Sequence, residues 1–124
     1  MKPLLLIRAL GELLVVDLIT RRGFKALCTA VTTMKPAARV APAAVVKDVV
    51  ESVEYATVFY FRHARCLQRS VAVTRMLRRR GFPATLVIGY RPMPIDSHAW
   101  VELDGVVVSD RTKHLEDYRV LDRW

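Results

Sequence analysis

Cysteine, glycine and proline are all scarce in this chain, and each scarcity closes off a class. Of its 124 residues only Cys28 and Cys66 are cysteines. Two thiols cannot build the disulfide framework of a small secreted domain, and these two are not spaced as a metal-binding pair. His63 and His114 have no partner at metal-ligand spacing either. Five glycines and six prolines are too few for a linker or a disordered chain, given that 52% of the residues are hydrophobic. No apolar run reaches the roughly 20 residues of a membrane span. Met1 to Ile7 begin like a secretory signal, but Arg8 interrupts the run, Glu12 and Asp17 follow, and no small-residue cleavage site closes it. Zinc-finger spacing, aromatic RNA-binding signatures and glycine-rich phosphate loops are absent. The expectation is a cytoplasmic protein with reduced thiols, no metal, no cofactor, no nucleic-acid partner and no stable membrane insertion.

What the sequence does have is a core and a positive charge. The formal net charge is +8, which suits an acidic peptide, an acidic membrane surface or nucleic acid. Composition alone does not choose among them.

The hydrophobic pattern divides the chain into blocks. A first helix is expected over about residues 4–21, ended by Arg21-Arg22-Gly23, with Leu6, Leu10, Leu13 and Leu14 on its packed face. Residues 24–42 have mixed character, with Pro36 and Pro42 as breakers. Val46, Val49, Val50, Val53 and Thr57 recur at helical steps over about residues 43–60. A third helix is expected over about residues 66–80, closed by Gly81, with Arg78-Arg79-Arg80 as a solvated last turn. Strands follow at 84–90, 98–102 and 106–110. Helices first and an antiparallel meander after them make an α+β fold, with N-terminal helices and a nucleophile-bearing helix packed on a small sheet.

Three residues in this layout suggest chemistry. Cys66 opens a helix, where backbone N–H groups and the helix dipole favour a thiolate, and Arg65 and Arg69 add positive charge. A buried, inert thiol is the alternative. His98 and Asp110 flank the hairpin around Leu103-Asp104-Gly105. A three-residue loop with a glycine bulge makes Glu102 face Val106, Trp100 face Val108 and His98 face Asp110. A carboxylate beside one imidazole nitrogen then leaves the other to deprotonate a thiol. The helix of Cys66 would pack across that face, against Trp100 and Val108. A two-residue Asp104-Gly105 loop, which turn statistics favour, puts His98 and Asp110 on opposite faces instead. Trp100 is either core or a wall of the substrate cleft. The backbone N–H of Cys66 is a natural oxyanion donor, with Tyr60, Gln68 or Tyr90 as side-chain donors and Leu67 beside them in the cleft.

The segments Cys66-Leu67-Gln68-Arg69-Ser70, Arg80-Gly81-Phe82-Pro83-Ala84, Ile88-Gly89-Tyr90, His98-Ala99-Trp100-Val101-Glu102 and Gly105 through Asp110 resemble the transglutaminase-like peptidases of lasso-peptide biosynthesis. The resemblance implies a transglutaminase-like, papain-like core over residues 42–124, preceded by an N-terminal helical region over 1–41, within one compact domain. It implies a cysteine peptidase with Cys66, His98 and Asp110 as its triad. Such a peptidase removes the leader from a ribosomally made precursor, and the released core passes to a separate ATP-dependent cyclase. The chain is too short to carry a fused leader-recognition domain, so the split form, served by a separate leader-binding protein, is expected. Two rival functions stand beside it: a transglutaminase-like acyl transferase with the same first half-reaction, and a non-enzymatic basic module that binds a peptide.

Overall fold

The computed structural model describes residues 3–35, 40, 42–59, 66–92, 95–108 and 117–124, with the backbone alone at positions 66 and 95. Four helices come first: α1 (Pro3–Thr20), α2 (Phe24–Thr32), α3 (Ala43–Phe59) and α4 (Cys66–Arg79). Four strands follow: β1 (Ala84–Pro92), β2 (Ile95–Leu103), β3 (Val106–Val107) and β4 (Arg119–Arg123). The sheet is antiparallel in the order β3-β2-β1-β4. The architecture is α+β, as the hydrophobic pattern predicts.

The helix α4 is the centre of the molecule. Every residue from Ser70 to Arg78 is buried, because α1, α2 and α3 surround it on one side and β1 and β2 lie against the other. It stops where expected: Gly81 takes φ 86°, and the Phe82 N–H bonds back to the Leu77 carbonyl at 3.0 Å. The expected solvated last turn is corrected, since Arg78 is only 8% exposed. Its guanidinium donates to the carbonyls of Ala84 (2.9 Å), Val31 (2.8 Å), Met34 (3.2 Å) and Trp124 (2.7 Å). That set of acceptors offsets the cost of burying a cation. Burial still lowers the Arg78 pKa from its ordinary value.

The packed face of α1 is also corrected. Leu5, Ala9, Glu12, Leu13 and Val16 are buried, whereas Leu14 is 45% exposed. Leucines nearly surround this helix, so apolarity alone does not pick a face. A buried acid does: Glu12, 4% exposed, accepts from Arg75 Nε and from Arg79 Nη1 (3.1 Å), both on α4. The segment of mixed character contains a regular helix, α2, whose Leu27, Cys28 and Val31 are buried. In α3 the expected valine stripe is found, with Val46, Val49 and Val53 buried beside Ser52 and Ala56. Packing there outweighs the stiffness of valine in a helix.

Alternation along the strands fixes the two sides of the sheet. Ala84, Leu86, Ala99, Val101 and Leu103 join the helices in one core, and they are cross-strand partners (Ala84 with Leu103, Leu86 with Val101). The β2–β3 turn decides what the other side receives. Asp104 (φ 54°) and Gly105 (φ 78°) are both left-handed, as a two-residue type I′ turn requires. Leu103 therefore pairs with Val106 and Glu102 with Val107, and the Val108 N–H reaches the Val101 carbonyl at 2.9 Å. The three-residue loop is thus overturned. Val108 belongs to the helix side of the sheet and does not face Trp100. Asp110 lies outside the described residues. The strand β4 was not expected; it is short, charged and exposed, and hydrophobicity does not mark such an edge.

Candidate active site

His98 lies in the middle of β2, on the side of the sheet away from the helices. Its same-side neighbours along the strand are Asp96, Trp100 and Glu102. Its partner across β1 is Gly89, which also pairs with Val120 of β4. Gly89 has no side chain to fill the space beside the imidazole, and the indole of Trp100 lies over it. A Cβ at position 89 would come within 2.7 Å of Trp100 Cη2 and 3.0 Å of the Arg119 carbonyl, so only glycine fits.

Three rings meet here. The centroid of His98 is 6.2 Å from Trp100 and 5.7 Å from Tyr118, and Trp100 and Tyr118 are 6.4 Å apart in an edge-to-face arrangement. Each of the two larger rings is tied to a carboxylate. Trp100 Nε1 donates to Glu102 at 3.0 Å, and Tyr118 Oη donates to Asp96 at 2.6 Å. An arginine stands by each acid: Arg123 is 3.7 Å from Glu102, and Arg91 is 3.9 Å from Asp96 and 5.4 Å from the Tyr118 ring centre. The Tyr118 hydroxyl holds Asp96 below the usual carboxylate range; desolvation opposes this and the Arg91 charge assists it.

Cys66 is the first residue of α4. One turn further on, Ser70 Oγ donates to the Ala99 carbonyl at 3.1 Å. The start of α4 therefore runs along the Ile95–His98 half of β2, on its helix side. The described residues bring His98 together with Trp100 and Tyr118, while α4 packs on the opposite face of the same strand. The expected packing of α4 across Trp100 is corrected accordingly. The thiol of Cys66, Tyr60 and Asp110 lie outside what is described.

The chain matches the model of the Transglutaminase-like superfamily over residues 12–123. It belongs to that superfamily. The match runs from within α1 to the end of β4 and takes in α4 and β2. Among curated proteins, the Microcin J25-processing protein McjB of Escherichia coli is 49% identical to this chain over 45 residues. The alignment takes in 36% of the chain and 22% of that relative's length. No solved structure matches.

The other cleft candidates of this transglutaminase-like chain scatter. Leu67 packs partly buried against the core. Gln68 Nε2 reaches Thr20 Oγ1, at the end of α1, at 3.4 Å. Tyr90 pairs with Ser97, and strand alternation puts it on the helix side, level with the start of α4. Trp100 is buried, 3% exposed. Cys28 is buried, and burial, then the Asp122 carboxylate, pushes its thiol up, so it is a poor nucleophile. Asp96 and Gly89 were missed, although period-two reading from His98 places Asp96 beside it. Tyr118 could not be found without β4. Among the described residues no His, Cys, Asp and Glu cluster suits a metal ion, and no helix is long and apolar enough to cross a membrane.

Proposed function

We propose that this chain is a cytoplasmic cysteine peptidase that removes the leader from a ribosomally made precursor of the lasso-peptide type. The observation that carries the reading is the superfamily match across α4 and β2, which takes in a helix opened by Cys66 and a strand bearing His98. The relative named for processing microcin J25 favours a peptide precursor as substrate.

In this reading His98 takes the Cys66 thiol proton, and the thiolate attacks the scissile carbonyl. The tetrahedral oxyanion is met by the Cys66 N–H and by a side chain from Gln68, Tyr90 or Tyr60. Collapse expels the amine, which receives the proton from His98, and leaves a thioester. Water, deprotonated by His98, releases the acid and restores the thiol. Asp110 orients the imidazole. Thiol and imidazole would meet around the outer rim of β2.

The partners proposed are a separate leader-binding protein and the ATP-dependent cyclase. A leader-binding protein would raise the local concentration of the scissile bond, to roughly the mM range for a short tether. With a net charge of +8, part of the acceleration should fade as salt rises. The test is the mass of a precursor peptide after incubation with the chain, with and without the leader-binding protein, in the presence of methylamine. Free acid at the cleavage site, formed much faster with the partner, supports the leader peptidase. Predominant methylamide shows an acyl transferase. An intact precursor under every condition removes the enzymatic reading.

A further inference from the structure

The outer side of the sheet carries more order than a solvent face needs. Asp96, His98, Trp100 and Glu102 alternate along β2, and each of the two acids accepts a hydrogen bond from one of the two larger rings. Tyr118 is the component that comes from farthest away in the chain. Its position is defined three times: by the 2.6 Å bond from its hydroxyl to Asp96, by Arg91 over its ring at 5.4 Å, and by edge-to-face contact with Trp100. Trp100 is fixed in turn by Glu102 and by the bare backbone of Gly89. The imidazole of His98 touches both rings. A general base must hold its ring within a fraction of an ångström of the productive pose, and Gly89, the residue paired with His98 on β1, offers the imidazole no side chain.

We infer that Tyr118 is a positioning residue for His98: its ring, latched to Asp96, forms with Trp100 the pair of walls that fixes the imidazole. This rests on the reading of Cys66 and His98 as nucleophile and base. Tyr118 acts through His98 and takes no part in bond making.

The test uses the full chain and needs no substrate. The ring-proton shifts of His98, assigned by comparison with His98→Gln, report the adjacent rings directly. The rate of Cys66 alkylation by iodoacetamide, read by peptide mapping with Cys28 as the internal control, reports the thiolate. His98→Gln is expected to slow Cys66 alkylation at neutral pH. Tyr118→Ala should move the His98 ring protons toward the values of a free histidine and slow Cys66 by about 10- to 100-fold. Tyr118→Phe keeps the ring, loses the latch to Asp96, and should fall between Tyr118→Ala and wild type in both readouts. Unmoved His98 shifts in Tyr118→Ala would overturn the inference. So would a Cys66 rate equal to wild type in folded Tyr118→Ala and Tyr118→Phe while His98→Gln is slow; Tyr118 would then support the fold alone. A Cys66 rate unaffected by His98→Gln would break the thiol–imidazole pairing itself, and the role of Tyr118 with it.

Discussion

On the helix side of the sheet, Ala84, Leu86, Ala99, Val101 and Leu103 meet the helices with aliphatic side chains alone. On the other side, β2 presents an imidazole, an indole and two carboxylates, and β4 brings Arg123 beside Glu102. The first face is held by non-directional burial, which tolerates changes of shape that conserve volume. The second is held by directional bonds between named atoms, and moving one of them displaces the rest. A stable core and an ordered polar cluster are thereby kept apart on opposite faces of one strand.

The largest expected effect breaks the apolar side at a buried ion pair. Glu12→Ala leaves Arg75 buried without its acid, and Arg79 loses its partner too. Urea unfolding should show a loss of about 3–5 kcal/mol. Replacing Glu12 and Arg75 together with methionine and leucine should restore much of it, because an apolar pair needs no charge compensation. A loss in Glu12→Ala no larger than that of a surface substitution would mean that water reaches this pair.

A smaller effect is expected on the other side. Gly89→Ala pushes a methyl group into the Trp100 ring and toward the Arg119 carbonyl, at a cost of about 1–3 kcal/mol. The indole must shift, so tryptophan fluorescence should change along with the thermal midpoint. An unchanged emission spectrum would show that Trp100 does not rest on Gly89. The smallest effect belongs to the turn that sets which residues face which side. Gly105→Ala forces a Cβ into the left-handed region, costing about 1 kcal/mol, and Asp104→Asn should cost less, since asparagine is at ease there. A Gly105→Ala variant as stable as wild type would argue for a different turn.

The apolar side was legible because alternation in β1 and β2, and valine spacing in α3, carry one signal each. The packed face of α1 was not, because leucines occur almost all round it and the deciding residue, Glu12, reads as a surface charge until Arg75 and Arg79 are beside it in space. The β2–β3 turn was a choice between two local rules. The preference of Asp-Gly for a two-residue turn prevailed over the register that the chemistry suggested. Cys66 and His98 were legible as motif residues, since a helix start and a strand position are local facts. The partners of His98 were only partly so: Asp96 is two residues away, but Tyr118 arrives from an edge strand whose charged sequence gives no periodic signal.

We propose Cys66 as the nucleophile of a leader peptidase served by His98. It is tested most directly by the masses of a precursor peptide incubated, with the leader-binding protein present, with wild type, Cys66→Ala and His98→Ala. Wild type should give leader and core fragments, Cys66→Ala no cleavage, and His98→Ala cleavage slowed by about 10²-fold or more. Fragments formed by Cys66→Ala at the wild-type rate would contradict it.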